Sequence, residues 1–236
     1  MNRYHIIQKI IDSVNAQTYL EIGIRSGGII NKIKAPKKIG VDPAINFSKK
    51  MRIKKKLGLL DFDIYEIESD KFFNNNAPGI YGDQGVDVVF VDGLHEYKQA
   101  LRDVKNALEF LTDKGVIIMH DCNPLNFAGA YPIKESFDEL GDLISGGKIP
   151  GWNDCWNGDV WKALVQLRIE HSDLNIFTLD LDWGLGIITK GNGNMLDNIS
   201  IHELEESDYS FLEADREHLL NLKPPSCLAD FIENQG

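Results

Sequence analysis

Several short apolar runs in the 236-residue chain end directly in ionisable or glycine-rich tips. Val86-Asp87-Val88-Val89-Phe90-Val91 leads into Asp92-Gly93-Leu94-His95, and Val116-Ile117-Ile118-Met119 leads into His120-Asp121. An imidazole titrates near neutrality, so His95 is suited to take a proton from a substrate. Asp92 and Asp121 supply the hard oxygen ligands that a divalent cation such as magnesium favours. Without a cation or a positive neighbour, their like charges would repel. His120 and Asn123 stand beside them as further partners. Two more tips have the same form. Thr18-Tyr19-Leu20-Glu21-Ile22 runs into Gly23-Ile24-Arg25-Ser26-Gly27-Gly28, and Lys38-Ile39-Gly40-Val41 runs into Asp42.

The elements that would position these tips alternate. Tyr4, Ile7, Ile10, Ile11 and Val14 have helical spacing over 4–16. Strands are expected at 18–22, 38–42, 62–67, 86–91 and 116–119, with a basic helix after the second and a helix over 96–112 before the fifth. Such alternation predicts a Rossmann-like wound α/β sheet, mostly parallel, with helices on both faces. The stretch 124–157, rich in Gly, Pro, Asn and Trp, reads as a lid or insertion. Beyond a helix near 158–170, Leu174–Leu179 and Leu185–Thr189 are joined only by a short turn around Asp182-Trp183-Gly184. So short a link cannot be a crossover, and the pair is expected as an antiparallel terminal hairpin, making seven strands in all. Residues 1–195 would form this domain, and 196–236 an acidic, mostly helical appendage. Trp161 fits the core face of its helix, whereas Trp152, Trp156 and Tyr131 fall in the lid, where aromatic faces suit a sugar.

Composition bounds the rest. With 25 basic and 36 acidic residues the formal charge is −11, which argues against a general nucleic-acid binder. The charge is uneven: Lys49-Lys50-Met51-Arg52-Ile53-Lys54-Lys55-Lys56 is strongly basic and the segment after Asp197 strongly acidic. No apolar run is long enough to span a bilayer. Three widely spaced cysteines indicate neither a disulfide framework nor a zinc cluster, and a reducing cytoplasm is expected.

The glycine loop lacks the second glycine of the dinucleotide fingerprint, because Arg25 stands there and would crowd a pyrophosphate. Asp42 is placed to accept hydrogen bonds from two ribose hydroxyls. An adenosyl ligand with an amino-acid tail in place of phosphates, S-adenosylmethionine, satisfies both. Tyr19-Leu20-Glu21-Ile22-Gly23 with Gly27, followed by Val41-Asp42, resembles the first motif and ribose acid of class I S-adenosylmethionine-dependent methyltransferases. Phe90-Val91-Asp92-Gly93-Leu94-His95-Glu96-Tyr97 and Met119-His120-Asp121 are similar to a subgroup with Asp-Gly-x-His-x-Tyr and His-Asp motifs, which includes sugar and glycan O-methyltransferases, some magnesium-dependent. The resemblance implies a cofactor site of Glu21, Gly23, Gly27, Asp42 and Asp92, with Ser69 and Asp70 near adenine. It implies a reaction centre of Asp92, His95 and Asp121, with His95 as base and Asp92/Asp121 as cation ligands. Metal-using members commonly carry paired acids after the fifth strand, and Cys122 stands in the second position here.

The acceptor would be a small-molecule hydroxyl, with a sugar or glycan among the candidates. Two other classes stay open: a non-catalytic cofactor-binding accessory protein of a glycan pathway, and a nicotinamide-dependent oxidoreductase. A phosphohydrolase of the HD type would need its ligands on an all-helical scaffold, and zinc would want three or four closely spaced soft ligands.

Overall fold

The computed structural model describes residues 2–133 and 137–233. Among them, eight strands form one sheet: β1 (Thr18–Ile22), β2 (Lys37–Val41), β3 (Asp63–Tyr65), β4 (Val86–Val91), β5 (Leu111–Met119), β6 (Leu174–Leu179), β7 (Leu185–Lys190) and β8 (Leu222–Lys223). Their order is β3-β2-β1-β4-β5-β7-β6-β8. Every pairing is parallel except those of β7, which runs antiparallel to both β5 and β6. The wound sheet and its terminal hairpin are therefore as the alternation of elements implied.

The strand count is the correction, eight instead of seven. β8 is two residues long and lies parallel to β6 at Thr178↔Leu222 and Leu179↔Lys223. It covers backbone groups that β6 would otherwise leave open at the sheet edge. Two residues before Pro224-Pro225 carry no period-two signal to read. β5 also begins earlier than expected, at Leu111, with a register irregularity against β4 between Val86 and Val88. Thr112, Asp113 and Lys114 are not buried, which hid this extension from any hydrophobic pattern.

Alternation along the strands divides the interior in two. Leu20, Ile22, Val89, Val91, Ile117 and Met119 face one core, completed by α3 (Ser69–Asn75), α4 (Ala77–Tyr81), α5 (Tyr97–Phe110) and α7 (Val160–Glu170). Tyr19, Val88, Phe90, Val116 and Ile118 face the other, covered by Ile6, Ile7, Ile10 and Ile11 of α1 (Arg3–Ser13). Trp161 is buried in the first core, as its helical spacing implied. By contrast, α2 (Lys49–Lys56) buries no residue at all. The segment 124–157 contains α6 (Phe137–Ser145) and a small separate cluster of Ala128, Ile133, Leu140 and Ile149.

The C-terminal segment serves both faces of the sheet. Leu204 of α8 (Ile201–Glu206), Leu212 of α9 (Tyr209–Ala214) and Leu219 of α10 (Arg216–Leu219) enter the first core. Leu228 and Phe231 of α11 (Cys227–Glu233) enter the second. No helix among the described residues is long and apolar enough to cross a membrane.

The chain runs outward from β1 to β3 and returns to β4 on the other side of β1, so the strand order reverses between β1 and β4. A cleft at the carboxyl ends of strands forms at such a switch point. Gly23 sits there with φ +89°, and a Cβ on it would lie 2.0 Å from the Asp92 carbonyl oxygen. Only glycine satisfies both the conformation and the approach.

Just before it, Glu21 is 2% exposed and shares a strand face with Tyr19, whose hydroxyl donates to Glu21 Oε2 at 2.7 Å. Burial pushes the Glu21 carboxyl up to about 8, against the hydrogen bonds from Tyr19 and the Ile30 N–H. The folded chain thus holds a proton that the unfolded chain releases from about 4.5 upward. Stability contributed by this group is complete below that value and is lost as pH rises toward 8. Glu21→Gln is expected to remove a decline on the order of 1 kcal/mol per pH unit. Urea unfolding at pH 5 and pH 8 should show a near-wild-type variant at the lower value and a more stable one at the higher.

Candidate active site

Backbone hydrogen bonds continue past the strand ends and lock the tips together. The N–H of Asp92 donates to Ile22 O at 2.9 Å, that of His120 to Val91 O at 3.0 Å, and that of Gly23 to Val41 O at 2.8 Å. Asp121 turns out of β5 with φ +62°, a conformation that Asp tolerates better than most residues. The next two residues are held by the β6–β7 turn, through Cys122 N–H to Gly184 O and Asn123 N–H to Trp183 O.

Two carboxylates and two imidazoles converge on this floor. His95 Nε2 lies 3.1 Å from Asp121 Oδ2 and 3.6 Å from Asp92 Oδ1. Its Nδ1 faces the Trp156 carbonyl oxygen at 3.0 Å. The ring stacks on the Trp156 indole, with centroids 5.1 Å apart. His120, buried between Phe90 and Trp183, points Nδ1 at Asp121 Oδ2 (2.8 Å) and Asp92 Oδ1 (3.2 Å). Its Nε2 is buried without a hydrogen-bond partner among the described residues. Asn157 Nδ2 donates to the other oxygen of Asp121. One ligand atom each from Asp92, His95 and Asp121 lies within 4.8 Å of the others.

Arg3, at the start of α1, closes the cluster. Its Nη1 lies 3.2 Å from Asp92 Oδ2 and 3.1 Å from His120 Nδ1. Its Nε and backbone N–H both donate to Asp182 Oδ2, at 3.1 and 2.9 Å. Asp182 and Trp183 reach this position through positive φ values in the tight β6–β7 turn. Arg3, Asp182 and Asn157 were not expected from the sequence. No local pattern distinguishes them, since Arg3 reaches Asp92, Asn157 reaches Asp121 and Asp182 reaches Arg3 across large separations in the chain.

The protonation states follow from this packing. Burial alone would raise the Asp92 carboxyl, but hydrogen bonds and charge from His120 and His95 hold it well below the usual carboxylate range. Burial would lower both imidazoles, but the carboxylates overcome it. His95 is raised, chiefly by the charge of Asp121, and His120 is pushed up to about 10 by Asp121 and Asp92. In His95, Nδ1 faces a carbonyl oxygen and so carries hydrogen, while Nε2 faces a carboxylate. The ring expected as a base is therefore held by carboxylates that favour its charged form.

The remaining expected residues fall into three places. Asp42 caps β2, with Oδ2 accepting from the Arg25 N–H and Oδ1 from the Ala44 N–H, both at 2.7 Å. Each of its oxygens retains a lone pair for another donor. Gly27 (φ +70°) lies against Phe47 and Met51. Ser69 and Asp70, expected near an adenine, have their side chains bonded to α5. Ser69 Oγ donates to Asp103 Oδ1 at 2.6 Å, and Asp70 accepts from Asn106 and pairs with Arg102. Of Trp152, Trp156 and Tyr131, Trp156 alone meets the cluster, while its Nε1 donates to the Tyr131 carbonyl. Trp152 is one layer out, its Nε1 bonded to Asp154.

Removing the Arg3 guanidinium leaves Asp92 and Asp182 facing each other across a partly buried gap. Arg3→Ala is expected to cost roughly 1–2 kcal/mol in denaturant unfolding, discounted for partial exposure. Arg3→Lys should recover only part of this, because one ammonium cannot match the fork that spans both carboxylates.

A methyltransferase-domain family profile matches residues 40–122, from β2 through the His-Asp tip of β5. An uncharacterised protein of Acanthamoeba polyphaga mimivirus is 24% identical over 186 residues, 73% of this chain and 83% of that protein. Among solved structures, a Staphylococcus aureus protein assigned as a caffeoyl-CoA O-methyltransferase aligns over 80% of this chain and 82% of its own, with TM-score 0.50 and 18% identity. A Klebsiella pneumoniae protein assigned as an O-methyltransferase aligns over 80% of each chain, with TM-score 0.52 and 12% identity. A cofactor-bound protein from MTB, Rv0187, aligns over 83% and 82%, with TM-score 0.51 and 13% identity. At these identities the structural likenesses establish the fold, and the profile match lies on the segment that carries the site. The chain thus carries a methyltransferase-domain segment over residues 40–122 within a fold shared with these methyltransferase structures.

Proposed function

We propose that the chain transfers a methyl group from S-adenosylmethionine to a hydroxyl on a sugar or another small molecule, at the centre formed by Asp92, His95 and Asp121. One observation carries this reading: those three side chains meet at the switch point of a methyltransferase fold, with ligating atoms within 4.8 Å of one another. The structural neighbours assigned as O-methyltransferases support the choice of a hydroxyl acceptor.

The residues present fit the cofactor. Gly23 lets the loop after β1 press against the Asp92 backbone, Gly27 lets it turn against Phe47 and Met51, and Asp42 keeps lone pairs for ribose hydroxyls. Glu21 supports the loop from inside the strand. Ser69 and Asp70 would act on the adenine side through the start of α3. The bound cofactor would supply an electrophilic methyl on sulfonium sulfur. The chain must then align the acceptor oxygen and remove its proton.

His95 is placed for that proton. The Trp156 carbonyl fixes Nδ1 as the hydrogen-bearing nitrogen, so Nε2 accepts once it is released from the carboxylates. Asp92 and Asp121, with His95 Nε2 beside them, also have the donor set for a divalent cation such as magnesium. A cation there would neutralise the paired carboxylates and acidify a nearby hydroxyl. Trp156, with Trp152 and Tyr131 behind it, would give the acceptor an aromatic wall.

A second reading, a cofactor-binding accessory protein without turnover, is favoured by Arg3, whose guanidinium already stands on Asp92. Nicotinamide chemistry is opposed by Arg25 at the position where a pyrophosphate needs glycine.

Thermal shift with S-adenosylhomocysteine and NADH, followed by turnover of labelled S-adenosylmethionine across a panel of hydroxyl acceptors, separates these readings. The expected result is stabilisation by S-adenosylhomocysteine alone, with label transfer to an acceptor. Preferential stabilisation by NADH would refute the cofactor assignment, and binding without transfer would favour the accessory role. His95→Ala should lower turnover by about 10²–10⁴-fold at unchanged cofactor affinity. Joint Asp92→Asn and Asp121→Asn substitution should abolish any magnesium dependence; dependence that persists would place the cation elsewhere.

A further inference from the structure

The basic run Lys49–Lys56 is not used by the chemistry above, and its placement gives it a separate meaning. It forms α2, capped by the Ser48 side chain and without a single buried residue. Its inner side is tied down. Met51 packs on the second core, Arg52 Nε donates to Phe47 O, and Lys55 reaches Glu66 at 3.4 Å. The outward stripe, at spacings of three and four residues, holds Lys49, Lys50, Ile53, Lys56 and Leu57. Among the described residues, Lys49, Lys50, Lys54 and Lys56 have no carboxylate within ion-pair distance.

The apolar members of this stripe face water. Ile53 is 60% exposed, Leu57 63% and Leu59, just past the helix end, 63%. Isolated exposed apolar residues need no explanation, but three within seven positions, ringed by unpaired lysines, form a patch of one character. Long lysine stems lie along apolar surroundings while their ammonium groups reach a polar layer. An apolar pair flanked by cations therefore matches the boundary between lipid headgroups and acyl chains, where apolar burial and attraction to anionic lipid act together. A nucleic acid would match the charge but would leave Ile53, Leu57 and Leu59 without a partner, and α2 carries no aromatic ring on which bases could stack.

We propose that α2 is a peripheral docking element for a membrane surface rich in anionic lipid. The assignment is independent of the methyl-transfer reading. Met51 of α2 lies against Gly27, so a docked helix would hold the loop after β1 close to the lipid headgroups.

The test is flotation of the full chain with vesicles of phosphatidylcholine alone and of phosphatidylcholine mixed with phosphatidylglycerol. Binding is expected only to the mixed vesicles, and it should weaken with added salt. The triple variant Lys49→Glu/Lys50→Glu/Lys56→Glu should lower partitioning by about tenfold or more. Ile53→Ser/Leu57→Ser should lower it by about tenfold through lost apolar burial. Because these side chains pack against no core, both variants should keep the wild-type circular dichroism spectrum and melting temperature. Absence of wild-type binding to the mixed vesicles would overturn the proposal. So would binding indifferent to Ile53→Ser/Leu57→Ser, since a bare polycation attracts any polyanion. Lysine-dependent binding to an oligonucleotide without vesicle binding would reassign α2 to nucleic acid.

Discussion

Two carboxylates at the ends of neighbouring parallel strands, both largely withdrawn from water, impose the dominant constraint on this molecule. Asp92 and Asp121 would repel one another strongly in a low-dielectric setting unless positive charge stood beside them. One distant and two local groups supply it: Arg3 comes from the first helix, His95 lies three residues past Asp92, and His120 stands between the end of β5 and Asp121. Removing any one would leave a buried charge underpaired, which costs far more than the pair contributes when whole. The N-terminal helix, the lid and the terminal hairpin are thereby drawn to one point. Arg3 is shared with Asp182 of the hairpin turn, and Trp156 and Asn157 of the lid hold His95 and Asp121.

This arrangement also sets the chemical state of the site. Charge from the two imidazoles holds Asp92 well below the usual carboxylate range, and the neighbouring carboxylates raise both imidazoles in turn.

The scaffold meets this demand through the sheet's reversal between β1 and β4. Gly23 permits the β1 loop to press on the Asp92 backbone, and the C-terminal segment seals both faces while adding β8 to the edge. Much of the chain's negative charge lies in that segment, whereas the unpaired positive charge is gathered on α2. The two are separate surface properties of one folded unit, and neither follows from the net charge of −11.

The sequence by itself determined seven of the eight described strands, the hairpin and the acidic or histidine-bearing tips. Periodicity, strand-breaking glycines and a three-residue turn are local signals carried by near neighbours. The identity of Asp92, His95 and Asp121 as a group was legible because parallel strands must end side by side. Tertiary structure alone decided which charges would satisfy that group. Arg3 and Asp182 are 179 positions apart and meet only because α1 packs beneath the hairpin turn. It likewise turned Ser69 and Asp70 onto α5, where Asp103, Gln99 and Asn106 offered partners that no spacing rule reveals. The upward shifts of the Glu21 carboxyl and the His95 imidazole belong to the same class. Hydrophobic pattern is written along the chain, whereas electrostatic compensation is settled through space.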